Sequence, residues 1–113
     1  MAEQPKPPSI QDPQEALDAL MAGNQRFVSG AMLSHDHQNA QRGSTEGQTP
    51  FAALIRCADS RVAPEIVFDQ SLGKLFVCGV AGNIPTEEIV ASLEYAVAVL
   101  QTPLIVIMGH SNC

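Results

Sequence analysis

Basic residues are scarce in this chain: Lys and Arg together number 6 against 12 Asp and Glu, for a formal net charge of −6. That balance excludes nucleic acid and anionic membrane surfaces as partners. Long apolar runs are missing too. Stretches such as Leu104 to Met108 are far too short to cross a bilayer, and the opening MAEQPKPPSIQ has no apolar segment of the signal-peptide kind. Cysteine is limited to three. An odd number forms no closed disulfide framework and points to reduced thiols, available to a metal, in a cytoplasmic compartment. No internal repeat is visible, and Gly79-Val80-Ala81-Gly82 lacks the GxGxxG spacing of a dinucleotide-binding turn.

What is present is an apolar fraction of 45% in 113 residues, enough for one domain with its own core. Residues 1–11, with Pro5, Pro7 and Pro8, are expected to be a disordered lead-in, and residues 12–113 the folded domain. Asp12 has the place of an N-cap, with Pro13 in the first helical position and Glu15 three residues on. Leu17, Leu20, Met21, Phe27 and Val28 follow at helical spacing, and Gly30 ends an amphipathic helix. Ala31 to Pro50 is polar and reads as a long surface loop.

The texture then changes. Phe51 to Arg56 is a buried-strand pattern ending at Cys57; Val62 to Gln70 is helical, with Ile66, Val67 and Gln70 on one face; Leu75 to Cys78 is a second strand, followed by a flexible GVAGN. Thr86 caps a helix with Ile89, Val90, Leu93, Val97 and Leu100 along one stripe, a core or interface face, and Leu104 to Met108 is a third strand. Strands alternating with helices predict an α/β fold with a parallel sheet whose continuous apolar strands are covered on both faces.

Candidate ligands cluster at one edge of that sheet. Cys57 follows the first strand, and His110 and Cys113 follow the third. With strand order 2-1-3 these ends meet at a topological switch point, where open α/β sheets bind ligands. Two thiolates and one imidazole suit zinc, and three protein ligands leave a fourth position for water, whose pKa zinc lowers to about 7. Asp59 is near enough in sequence to become the fourth ligand or to accept a hydrogen bond from the water. Arg61 can clamp that carboxylate bidentately and hold it off the metal. Cys78, within an apolar strand, reads as a buried inert thiol. His35 and His37, in a polar loop, read as solvated.

CADSRVAPEIVFDQSLGKLFV, VAGN, ASLEYAV and LIVIMGHSNC, with the leading GNQRFVSG, resemble the β-class carbonic anhydrases from about Ala16 to the last residue. The paired C-x-D-x-R and H-x-x-C motifs are the specific part. The resemblance implies zinc on Cys57, His110 and Cys113, an Asp59–Arg61 catalytic dyad, and reversible hydration of CO2 to bicarbonate and a proton through zinc-bound hydroxide. It also implies a homodimer or larger homo-oligomer. COS or CS2 hydrolysis on the same zinc, and a non-catalytic zinc-binding or dimerising fragment, are the alternatives. Phe68, Val80 or Ala81 are candidates for the pocket wall, and the amides near Gly82 and Gly109 for oxygen donors.

Two departures stand out. Where many relatives carry an arginine just before VAGN, this chain has Gly79. Relatives also continue past the position of Cys113 with a helix, a further strand and C-terminal helices. The expectation is therefore a truncated domain, with a carboxylate beside the metal, no helix dipole supporting the Cys113 thiolate, and an exposed edge on the third strand.

Overall fold

The computed structural model describes residues 7–113. Their order is α1 (Pro13–Ser29), α2 (His37–Arg42), β1 (Ala52–Cys57), α3 (Pro64–Val67), β2 (Leu75–Val80), α4 (Glu87–Ala98) and β3 (Ile105–Met108). The strands form one parallel sheet in the order β2-β1-β3, as expected from the sequence. Ala52 of β1 pairs with Leu75 and Cys57 with Val80, while Ala53 pairs with Ile105 and Arg56 with Met108. No helix among the described residues is long and apolar enough to cross a membrane.

The helix ends obey their capping residues. The Asp12 carboxylate accepts from the Glu15 N–H at 3.0 Å and Pro13 opens the helix. At the other end Gly30 takes a left-handed φ of 73°, which lets its N–H and that of Ala31 close back on Arg26 and Phe27. Thr86 caps α4 through the Ile89 N–H.

The core lies on both faces of β1. Even-numbered Ala52 and Leu54 pack with Ala16, Leu20, Phe51 and Phe68 beneath α1. Odd-numbered Ala53 and Ile55 pack with Ile89, Leu93 and Ala96 of α4. Burying side chains such as Leu20 and Leu54 contributes about 1.5–3 kcal/mol each. Coverage stops there, which corrects the expectation of a sheet sandwiched throughout. Helix α4 lies over β1 and β2, so Ile105 and Ile107 on the same face of β3 stay exposed, Ile107 by 72%.

Other expectations also shift. The 31–50 segment contains α2, nucleated by Asp36, whose side chain accepts from the Asn39 N–H. The helix expected over 62–70 shrinks to one turn, because Asp69 takes a positive φ of 49° and turns the chain. Strand β2 runs on through Gly79 and Val80, into the segment expected to be flexible. On α1, Leu20 is buried but Met21 and Val28 are exposed; the inward face uses the small residues Ala16 and Gly23. Gly23 is required by close approach: a Cβ there would lie 1.8 Å from the Phe68 carbonyl oxygen. Of the lead-in, residues 1–6 lie outside the described residues, whereas Pro8 is buried and Ile10 packs on the core.

Buried Asp69 locks α1 to this turn. It accepts from Arg26 Nε at 2.6 Å, from His35 Nε2 at 2.9 Å and from the Leu33 N–H at 3.0 Å. Arg26 above all, then the Leu33 N–H, pulls its carboxyl down to about 2. His35 is thus a hydrogen-bond partner of buried Asp69 and not a solvated loop residue, whereas His37 is exposed.

Candidate metal centre

Cys57 ends β1, and the two residues that follow the end of β3 begin the turn carrying His110 and Cys113. Parallel pairing puts both ends at one sheet edge, so residues 53 and 56 positions apart in sequence converge. One donor atom from each of Cys57, His110 and Cys113 lies within 4.8 Å of the others. The two sulfurs are 3.9 Å apart, close to the ~3.8 Å expected for two thiolates at tetrahedral positions on zinc.

His110 is set up as a ligand. Its Nδ1 lies 2.9 Å from the Ser111 carbonyl, which can only accept, so Nδ1 carries the proton. The Nε2 lone pair is left free. Nε2 is buried and has no hydrogen-bond partner among the described residues, and a ring nitrogen of His110 lies within 4.8 Å of both sulfurs. The donor set therefore fits a metal ion.

The electrostatics favour metal-ready thiolate. The His110 imidazole, the Gly82 N–H (3.4 Å from the sulfur) and the Asp59 N–H lower the Cys57 thiol to about 6. The Cys57 sulfur in turn raises His110 and pushes the Cys113 thiol up. Two adjacent thiolates repel each other until a cation joins them.

Asp59 and Arg61 form a bidentate pair beside this cluster. Arg61 donates from Nε to Oδ1 at 2.9 Å and from Nη2 to Oδ2 at 2.6 Å, and its backbone N–H also reaches Oδ1. Arg61 holds the Asp59 carboxyl well below the usual carboxylate range. Asp59 Oδ2 is 3.9 Å from His110 Nε2, beyond hydrogen-bonding distance. Of the two arrangements open to Asp59, this one is held by arginine and stands off the metal cluster. Arg61 Nη2 also donates to the Asn112 carbonyl at 3.2 Å, tying the two ligand-bearing turns together.

Several contributors escape a reading by residue type. Asn83, in left-handed conformation at φ 59°, donates from its side chain to the Met108 carbonyl, fastening the turn after β2 to the end of β3. The VAGN string was the signal, but its use was not readable. The Gly82 amide, expected to face a substrate oxygen, points to the Cys57 sulfur instead. Of the expected wall residues, Phe68 belongs to the core under α1, Val80 is partly buried on the α4 side and Ala81 is exposed. Cys78 is half-buried and burial raises its thiol, in keeping with an inert role.

The carbonic anhydrase family model matches residues 52–113. Carbonic anhydrase 2 of Mycobacterium tuberculosis is 47% identical over 104 residues, an alignment covering 90% of this chain and 50% of that protein. Among solved structures, the β-carbonic anhydrase CcaA superposes with a TM-score of 0.63 at 33% identity, covering 86% of this chain and 49% of that one. A tetrameric β-carbonic anhydrase of Sordaria macrospora gives 0.62 at 33% identity, covering 88% and 51%. The chain spans about half the length of the relatives it matches.

Proposed function

From the premise that the chain belongs to the β-carbonic anhydrase family, we propose that it catalyses reversible hydration of CO2 to bicarbonate and a proton, with zinc held by Cys57, His110 and Cys113. The observation that carries this reading is the Cys57–His110–Cys113 cluster, whose donor atoms lie within 4.8 Å of one another, together with a buried His110 Nε2 that has no hydrogen-bond partner among the described residues. A zinc ion bound there supplies a Lewis acid that makes a water molecule acidic near neutral pH. The remaining work falls to the protein.

His110 stays in one tautomer because Ser111 holds its Nδ1 proton. Asp59, kept ionised by Arg61, acts only as an acceptor. It takes a hydrogen bond from the reacting water and so aims an oxygen lone pair at the carbon of CO2. One C–O bond forms, one O–H proton is released to buffer, and bicarbonate leaves. Because Asp59 is tied up by three donors from Arg61, it is restrained from turning toward the Cys57–His110–Cys113 cluster, the residues that would hold the metal.

The homo-oligomer implied by the resemblance is part of the proposal. It is supported by the tetrameric relatives and by exposed Met21, Val28 and Ile107. A monomer by sedimentation velocity at micromolar concentration contradicts it. The enzymatic reading is tested by stopped-flow CO2 hydration with zinc-loaded protein, with COS hydrolysis assayed in parallel. Turnover of CO2 that disappears in Cys57→Ser supports it; a zinc-loaded protein without turnover above buffer sinks it.

A further inference from the structure

Arg56 is a charged residue in the last pair of positions of the central strand, one place before Cys57, and neither the metal cluster nor the Asp59–Arg61 pair uses it directly. Its guanidinium turns into the loop that follows. Nη2 donates to the Asp59 carbonyl at 3.2 Å and to the Val62 carbonyl at 3.2 Å. The segment from Ala58 to Val62 thus wraps around one side chain, with a backbone carbonyl from each end fastened to the same nitrogen. Arg56 Nε is buried without a hydrogen-bond partner among the described residues. The side chain is held in place at the expense of that donor, so the two carbonyl contacts are the polar links that define its position.

The neighbouring strand makes room for it. Arg56 is the register partner of Gly79 on β2. A Cβ at position 79 would lie 2.9 Å from Arg56 Cδ and 2.5 Å from the Arg56 carbonyl oxygen, so any side chain there would push on both the stem and the strand. The Arg56 stem therefore passes over a glycine of the neighbouring strand.

We propose that Arg56 is a positioning residue for the Asp59–Arg61 pair, clamping the 58–62 segment through the Asp59 and Val62 carbonyls, and that Gly79 is small to admit it. This rests on the hydratase reading for its functional meaning, because it assigns Arg56 the task of keeping Asp59 on Arg61. The clamp itself is a property of the fold and is testable without turnover. Carbonyl groups oriented by a cationic donor are held more firmly than by a neutral one. Removing the donor frees both ends of the segment while leaving the sheet's own ladder in place.

The test is hydrogen exchange on the full chain with zinc present, comparing wild type, Arg56→Ala and Arg56→Lys. The Arg61 amide, bonded to Asp59 Oδ1, reports on the clamp, and amides of β1 and β3 report on the sheet. In Arg56→Ala, exchange across residues 58–62 is expected to rise about 10-fold, as for loss of one charge-assisted hydrogen bond, with the sheet amides unchanged. Arg56→Lys, which keeps a cationic donor, is expected to restore much of the protection. Unchanged exchange at 58–62, or an equal rise throughout the sheet in both variants, overturns the proposal, the second outcome marking Arg56 as merely structural. In the same samples a fall in kcat for CO2 with zinc content and KM retained is expected for Arg56→Ala. Absence of turnover in the wild type defeats the hydratase reading alone, since the exchange pattern still decides the clamp.

Discussion

Replacing Gly23 by alanine sets two effects against each other. In an exposed helix the change stabilises by about 1 kcal/mol, because alanine restricts the unfolded chain and favours helix. Here the new Cβ would sit 1.8 Å from the Phe68 carbonyl oxygen and 2.7 Å from its carbon. Helix α1 must retreat by more than about 1 Å to relieve this, in an interior packed at crystal density. Such a retreat loosens the Asn24 contact to the Val67 carbonyl and the Arg26–Asp69 pair. Overpacking costs about 1–3 kcal/mol, and a clash against backbone belongs at the upper end. The net expectation is a loss of ~2 kcal/mol, a fall in Tm of about 10 °C for a domain of this size. Gly43→Ala is the control, since a Cβ there meets ordinary space, 3.4 Å from the Asn39 carbonyl, and should change stability by less than ~0.5 kcal/mol. Thermal unfolding by circular dichroism reads both. A Gly23→Ala protein that melts at or above the wild-type temperature would refute the docking of α1 on the α3 turn.

Two further predictions concern the site. Asp59→Asn removes the negative charge that Arg61 grips and is expected to lower kcat/KM for CO2 hydration by about 10²-fold while bound zinc stays constant; loss of zinc in step with activity would make Asp59 a ligand instead. For the metal-free protein, thiolate absorbance near 240 nm (an ordinary ultraviolet titration) should rise in one step near 6, from Cys57, with Cys78 and Cys113 following above their usual 9.0. The sign follows from the direction of the shift: a thiol lowered in the folded state is ionised above about 6, and acid below that value protonates it and weakens metal binding. The step near 6 should vanish in Cys57→Ser, and a first thiolate appearing only above 8 contradicts the assignment.

Much of this fold is legible in the sequence. Asp12, Gly30 and Thr86 announce helix ends through local chemistry, which depends on few neighbours. The alternation of strands and helices predicts the parallel sheet, and the order 2-1-3, under which Cys57 and His110 converge, is the order the strands take. Tertiary contacts explain what was not legible. Asp69 breaks the helix expected over 62–70 because its carboxylate is drawn to Arg26 and His35, both distant in sequence. Met21 and Val28 match the helical period yet face outward, because α1 approaches the sheet through Ala16 and Gly23. Arg56 closes the buried-strand pattern of Phe51 to Arg56, and only the register opposite Gly79 gives its side chain a place. The Gly82 amide is a candidate oxygen donor by sequence, but the turn with left-handed Gly82 and Asn83 aims it at the Cys57 sulfur.

The central claim is that Cys57, His110 and Cys113 hold one zinc ion, and X-ray absorption at the zinc edge of the loaded protein tests it most directly. The expected result is one zinc per chain, with two sulfur neighbours at about 2.3 Å and imidazole nitrogen at about 2.0–2.1 Å, and loss of one sulfur in Cys57→Ser. A shell of nitrogen and oxygen alone, or a chain that retains no zinc after desalting, would contradict the account.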